Sequence, residues 1–168
     1  NPIVNHLVIM PDIEKRLEGF VRVGHGIIVF PGGVGTAEEI LFLLGILLHP
    51  DNEATPLPLI LTGPESSRAY LEQVDAFIGA TLGPAARARY EIIIGDPPAV
   101  ATWVLGNVRR VRDFRHAHND AYYYNWRLRV DSVCQPPFVA TPDAMAQLEI
   151  SRDLPTPVLA ANQRRAFS

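Results

Sequence analysis

With 168 residues and 48% apolar side chains, the chain is long enough to close one hydrophobic core as a globular domain. A formal net charge of −3 leaves no basic footprint for a nucleic-acid backbone, and the single cysteine, Cys134, excludes an internal disulfide or a cysteine-based metal site. A reducing compartment, the cytoplasm, is therefore expected.

The longest apolar runs, such as residues 40–48, fall far short of the roughly 20 residues that cross a bilayer, so no membrane partner is expected. Residues 1–10 carry neither a charged leader region nor a cleavage pattern. Residues 11–23, PDIEKRLEGFVRV, place Ile13, Leu17, Phe20 and Val21 at helical spacing, with Asp12 positioned to cap the first turn. GIIVF (26–30) is a continuous β-branched and aromatic run between glycine and proline, which predicts a buried parallel strand. Residues 36–48 read as an apolar helix stopped by HPDN (49–52).

The rhythm repeats. LPLILTG (57–63) is a second buried strand, SSRAYLEQVDAFIGATL (66–82) a helix ending at Gly83, and YEIIIG (90–95) a third strand. Residues 98–112 form a further helix begun by prolines. Strands alternating with helices mean crossover units and a parallel sheet, hence an α/β fold. Three strands are few for such a sheet, and the chain opens at Asn1 without an initiator methionine, so earlier strands are expected in a longer parent chain. From Arg115 the pattern turns aromatic and charged, RHAHNDAYYYNWRLRV, then proline-rich over residues 136–157. PVLAANQRRAFS (157–168) reads as a helix without a stop signal. No internal repeat or low-complexity tract interrupts the chain.

The functional question sits in IIVFPGGVGTAEEI (27–40). A turn from a parallel strand into a helix gathers backbone N–H groups and the positive end of the helix dipole at one point, where anions bind. Gly32, Gly33 and Gly35 remove side chains that would block close approach and allow positive φ, while Thr36 adds a hydroxyl donor. The loop lacks the lysine of GxxxxGK[ST] and the spacing of GxGxxG, so a monophosphate suits it better than a triphosphate or a dinucleotide. A plainer reading stays open. TAEE (36–39) spells a capping box, in which Thr36 caps the helix and Glu39 reaches back to the cap's N–H, worth about 1 kcal/mol. Such a cap needs neither three glycines nor a second acid at Glu38.

PGGVGTAEE (31–39) resembles the PGGxGTxxE signature of the LOG-like family, phosphoribohydrolases long labelled lysine decarboxylases. The longer stretches NPIVNHLVIMPDIEKRLEGFVR, LPLILTGP and DAYYYNW are similar to its branch of bacterial pyrimidine/purine nucleotide 5'-monophosphate nucleosidases, a likeness that runs through nearly the whole chain. The resemblance implies a Rossmann-like parallel sheet flanked by helices, incomplete at its N-terminus. Residues 1–114 would be the C-terminal part of a nucleotide-binding catalytic domain, and residues 115–168 an extension packed on it or on a neighbouring subunit.

It also implies hydrolysis of the N-glycosidic bond of a nucleoside 5'-monophosphate, without cofactor or metal, in a homo-oligomer such as a dimer or tetramer. Glu39 would be the catalytic carboxylate. The family's arginine on the preceding helix falls, by spacing from the motif proline, on Arg16, although Leu17 stands where members often carry lysine. Gly32, Gly33, Gly35 and Thr36 would hold the phosphate, and Glu38 would reach the ribose hydroxyls or serve only as a first-turn acid.

The old label implies a pyridoxal phosphate Schiff base, which demands a lysine; Lys15 is the only one, and nothing else marks it as a cofactor site. A non-catalytic nucleotide sensor using the same loop is the rival of another class. The aromatic faces of AYYYNW (121–126) could stack on a base but more often form core or subunit contacts. His116 and His118 with Asp120 lack the further ligands of a metal site. His6, His25 and His49 carry no spacing that translates into chemistry.

Overall fold

The computed structural model describes residues 2–167, of Val133 the backbone alone. Strands β1 (Ile27–Val29), β2 (Leu59–Gly63) and β3 (Glu91–Ile94) form one parallel sheet in the order β1-β2-β3. The helices are α1 (Ile13–Val23), α2 (Val34–Leu47), α3 (Arg68–Leu82), α4 (Pro84–Arg87), α5 (Pro97–Ala117), α6 (Pro142–Ala146) and α7 (Thr156–Phe167). β1 and β2 each hand over to helices that carry the chain back to the next parallel strand, and β3 hands over to α5, so the α/β, Rossmann-like reading holds.

The register pairs Ile27 with Leu59, Ile28 with Ile60 and Leu61 with Ile92. Because strand side chains alternate, Ile27, Val29, Leu59, Leu61, Ile92 and Ile94 enter one main core with α2, α3 and α7. Ile28 and Ile60 face the other way, where Trp103 and Val104 of α5 stand beside Ile28. The expectation of a fully buried β1 needs correction: Ile28 is 42% and Phe30 62% exposed, because β2 is the only strand paired with β1 among the described residues.

The elements owe their limits to local chemistry. Asp12 starts α1 by accepting a hydrogen bond from the Lys15 amide at 2.7 Å. Gly83, at φ +80, ends α3 in a backbone region that side chains resist. Asp96 caps α5 through the Ala99 amide at 2.9 Å. This helix runs five residues beyond its expected end, to Ala117, with Arg115 in its last turn, where a cation complements the dipole. Arg115 thus belongs to α5. It is buried, and donates to the carbonyls of Tyr122 at 2.9 Å and Gly24 at 3.2 Å.

The last helix begins at Thr156, one residue before the expected start, and is described to Phe167; Ser168, the expected end, lies outside the described residues. α7 packs on α2 through Leu159, Ala160 and Ala161, with Gly45 of α2 beside Pro157 and Ala160 where the helices meet. A Cβ there would sit 3.7 Å from the Pro157 carbonyl and 3.8 Å from Ala160 Cβ, ordinary contact. Gly45→Ala in the full-length protein is therefore expected to leave the melting temperature unchanged or raise it slightly through helix propensity. Gly45→Leu should cost about 3 kcal/mol by overpacking, read as a lower thermal midpoint; equal midpoints for the two variants would contradict this packing.

Candidate active site

Two helices bring the expected pair together. Arg16 on α1 and Glu39 on α2, 23 residues apart in sequence, form an ion pair of 3.0 Å between Nη2 and Oε1. Their side chains are 50% and 33% exposed, so the pair lies at a surface and not in solid protein. The Arg16 guanidinium also stands over the Phe20 ring, 6.0 Å from its centroid, one turn along α1.

The capping box does not form. Helix α2 starts at Val34, two residues before the expected start, with Gly33 as its N-cap and no side-chain hydrogen bond to the cap. Thr36 is then the third helical residue, and Glu39 lies too far along to reach back to the cap's amide. The physical reason is the loop: Gly33 takes an extended conformation, φ −94 and ψ −153, which lets the helix begin at once after it. Nor do the glycines serve through positive φ, which among the described glycines occurs only at Gly83 and Gly95.

Their use is the missing side chain. A Cβ on Gly32 would stand 2.1 Å from Thr36 Oγ1, so that hydroxyl folds back over Gly32. A Cβ on Gly33 or Gly35 would meet nothing within 4 Å, leaving the first turn of α2 open. The first amides of a helix lack the usual intrahelical acceptors; here those of Thr36 and Ala37 turn back to the Gly33 carbonyl at 3.1 and 3.4 Å. At the other side of the loop, Gly63, the last residue of β2, leaves room for the motif proline: a Cβ there would come within 2.8 Å of Pro31.

Thr36 and Glu39 share a cleft of about 420 Å³ with Leu17, Phe20, Ile27, Phe30 and Leu43 among its apolar walls. That volume suits a small molecule, for which pockets of about 300–1,000 Å³ are usual. Arg16 stands at its border, facing an adjoining recess formed with Val8, Ile9, Met10, Asp12 and Ile13. Thr36 and Glu39 therefore stand one helical turn apart at the cleft, with Glu39 paired to Arg16, while Gly32, Gly33 and Gly35 are not among its lining residues.

Glu38 is placed otherwise. It is buried, absent from the cleft lining, and its Oε1 accepts from Arg164 Nη1 at 3.0 Å. Arg164 Nη2 donates to Glu14 Oε1 at 2.9 Å, completing a buried cluster of charge. Sequence reasoning missed Glu14 and Arg164. The signal was present: Glu14 shares the buried stripe of α1 with Leu17 and Val21, at spacings of three and four, where a carboxylate requires a partner.

The remaining candidates lie outside the cleft. Lys15 pairs with Glu18 at 2.9 Å. None of the Tyr122–Trp126 rings lines the cleft; Tyr122 and Tyr123 meet edge to face at 4.5 Å, and Arg22 Nη1 ties the segment to α1 through the Asn125 carbonyl at 2.8 Å. His118 Nδ1 lies 2.8 Å from the Phe114 carbonyl, and no group of three or more metal-ligating side chains occurs among the described residues. His49 Nδ1 accepts from the Asp51 amide at 3.1 Å, a turn cap. Burial, then the nearby Arg115 and Arg112, hold His25 below the ordinary histidine range, and burial pushes the Cys134 thiol up. No helix among the described residues is long and apolar enough to cross a membrane.

Comparison with known proteins places the same residues in a wider setting. Residues 1–103 match the model of the family described as possible lysine decarboxylase. Residues 108–168 match the C-terminal part described for pyrimidine/purine nucleotide monophosphate nucleosidase. Relatives named pyrimidine/purine nucleotide 5'-monophosphate nucleosidase, from Escherichia coli K12 and O157:H7, are each 53% identical over 168 residues. The match covers 100% of this chain but 37% of each relative, so the chain spans little more than a third of their length.

Proposed function

The chain belongs to the family described as possible lysine decarboxylase, and from that membership and its site we propose that the full-length protein hydrolyses the N-glycosidic bond of nucleoside 5'-monophosphates. The products are free base and ribose 5-phosphate. The observation that carries the reading is the Arg16–Glu39 pair, 3.0 Å apart, one turn beyond an open glycine-flanked helix start. The names of the relatives agree with it.

In this reading the amides around Gly33 to Gly35 and the Thr36 hydroxyl take the 5'-phosphate, with Gly32 making room for that hydroxyl. Binding energy spent there orients the sugar toward α2. Glu39, held in place by Arg16, stabilises the oxocarbenium charge that develops on the ribose and accepts the proton of the attacking water. Decarboxylation through pyridoxal phosphate fits poorly. Lys15 is the one lysine in the chain; it lines neither the main cleft nor the adjoining recess, and its Nζ is paired with Glu18 at 2.9 Å. We place the reaction in the cytoplasm, in a homo-oligomer of the full-length chain.

The test is to incubate the full-length protein with AMP, CMP, UMP and GMP and to follow free base by chromatography. Base release from at least one of them is expected. Binding without release from any would favour a nucleotide sensor.

A further inference from the structure

We propose that Arg164, in the last helix, is a positioning residue for the Arg16–Glu39 pair, so that the C-terminal segment sets the geometry of the site from behind. The inference rests on the nucleosidase reading above. Arg164 is 1% exposed and divides its guanidinium between the two helices that carry the pair: Nη2 to Glu14 of α1 at 2.9 Å, Nη1 to Glu38 of α2 at 3.0 Å. Glu14 lies two residues before Arg16, and Glu38 directly precedes Glu39.

At 3.6 residues per turn, a two-residue step points to the opposite side of a helix and a one-residue step about 100° round it. The inward carboxylates and the outward pair are therefore two sides of the same turns. Fixing the inward side fixes how far apart α1 and α2 stand and how each is rotated, which are the variables that the 3.0 Å contact depends on.

Charge makes the arrangement demanding. Two carboxylates and one guanidinium are buried together, with Glu14 Oε2 left without a hydrogen-bond partner. Neither carboxylate tolerates burial unless the cation stays between them. A planar fork spans two acids on different helices in a way that an ammonium cannot. The Arg164 guanidinium also lies 5.9 Å from the centroid of the Phe42 ring, one turn beyond Glu38 on α2, which restricts its orientation.

The test compares full-length wild type, Arg164→Lys and the double variant Glu14→Gln with Arg164→Gln. The double variant removes one buried charge of each sign, leaving the net charge of the cluster unchanged, and supplies amide hydrogen bonds to hold the fold. Base release from AMP, or from whichever monophosphate wild type cleaves fastest, is measured at 25 °C, with folding checked by thermal unfolding. For both variants kcat is expected to fall tenfold or more while KM stays within about threefold, since the phosphate loop is untouched. A folded double variant with kcat within twofold of wild type would overturn the inference and leave the nucleosidase reading standing. A wild-type protein that releases no base from any monophosphate would overturn both.

Discussion

Glu39→Gln in the full-length protein is expected to lower base release from nucleoside monophosphates by about 10³-fold or more, the order associated with losing a charged catalytic acid or base. Nucleotide affinity should stay within about threefold and the thermal midpoint within a degree or two. The last expectation follows from the helix start. Had Thr36 and Glu39 closed a capping box, Gln would have preserved a structural role and the experiment would mix folding with chemistry. Gly33 caps α2 without either side chain, and the contact that the structure gives Glu39 is Arg16, to which a carboxamide oxygen can still accept. Turnover at the wild-type level would remove Glu39 from the chemistry and leave the phosphate loop as the core of a sensor.

Removing the 5'-phosphate from the substrate is the second large effect. A phosphate held by two or three charge-assisted hydrogen bonds from amides and a hydroxyl gains about 1.5–3 kcal/mol from each. Adenosine in place of AMP should therefore cost about 10³- to 10⁴-fold in kcat/KM. The loop offers a matching protein-side test. Gly33→Ala places a methyl group in space that is open in the structure, at a backbone conformation alanine adopts without strain. It should leave folding intact, raise KM for AMP about tenfold and leave the slow cleavage of adenosine unchanged, an effect of the size expected for one obstructed hydrogen bond. Gly32→Ala differs, because its Cβ would lie 2.1 Å from Thr36 Oγ1 and must displace that hydroxyl. Both stability and affinity should suffer there. Equal kcat/KM for AMP and adenosine would mean that the loop does not hold a phosphate.

Much of this was legible in the residues. Glycine- and proline-bounded apolar runs marked all three strands, and PGGVGT marked the turn from β1 into α2. What the sequence hid has physical causes. The start of α2 was misread because TAEE carries a cap signature, and local signatures compete with backbone geometry that only the loop determines. α5 was read too short because HAHN and the tyrosines after it resemble a tail, whereas Arg115 is buried and donates to the carbonyls of Tyr122 and Gly24. In sequence Glu38 reads either as a contact to the ribose hydroxyls or as a first-turn acid of the helix. Its true neighbour, Arg164, is 126 residues away, a distance no local pattern encodes. Asn52 makes the same point: buried, it bridges the Ile46 and Arg129 carbonyls at 2.8 and 2.7 Å, and reads in sequence as an ordinary turn residue.

The most direct measurement is a crystal structure of the full-length Glu39→Gln protein with AMP bound. The account predicts the phosphate on the amides that open α2, beside Thr36 Oγ1, with C1' of the ribose facing the residue 39 side chain across room for one water. A phosphate bound elsewhere, or a ribose turned away from residue 39 with the base in its place, would contradict it.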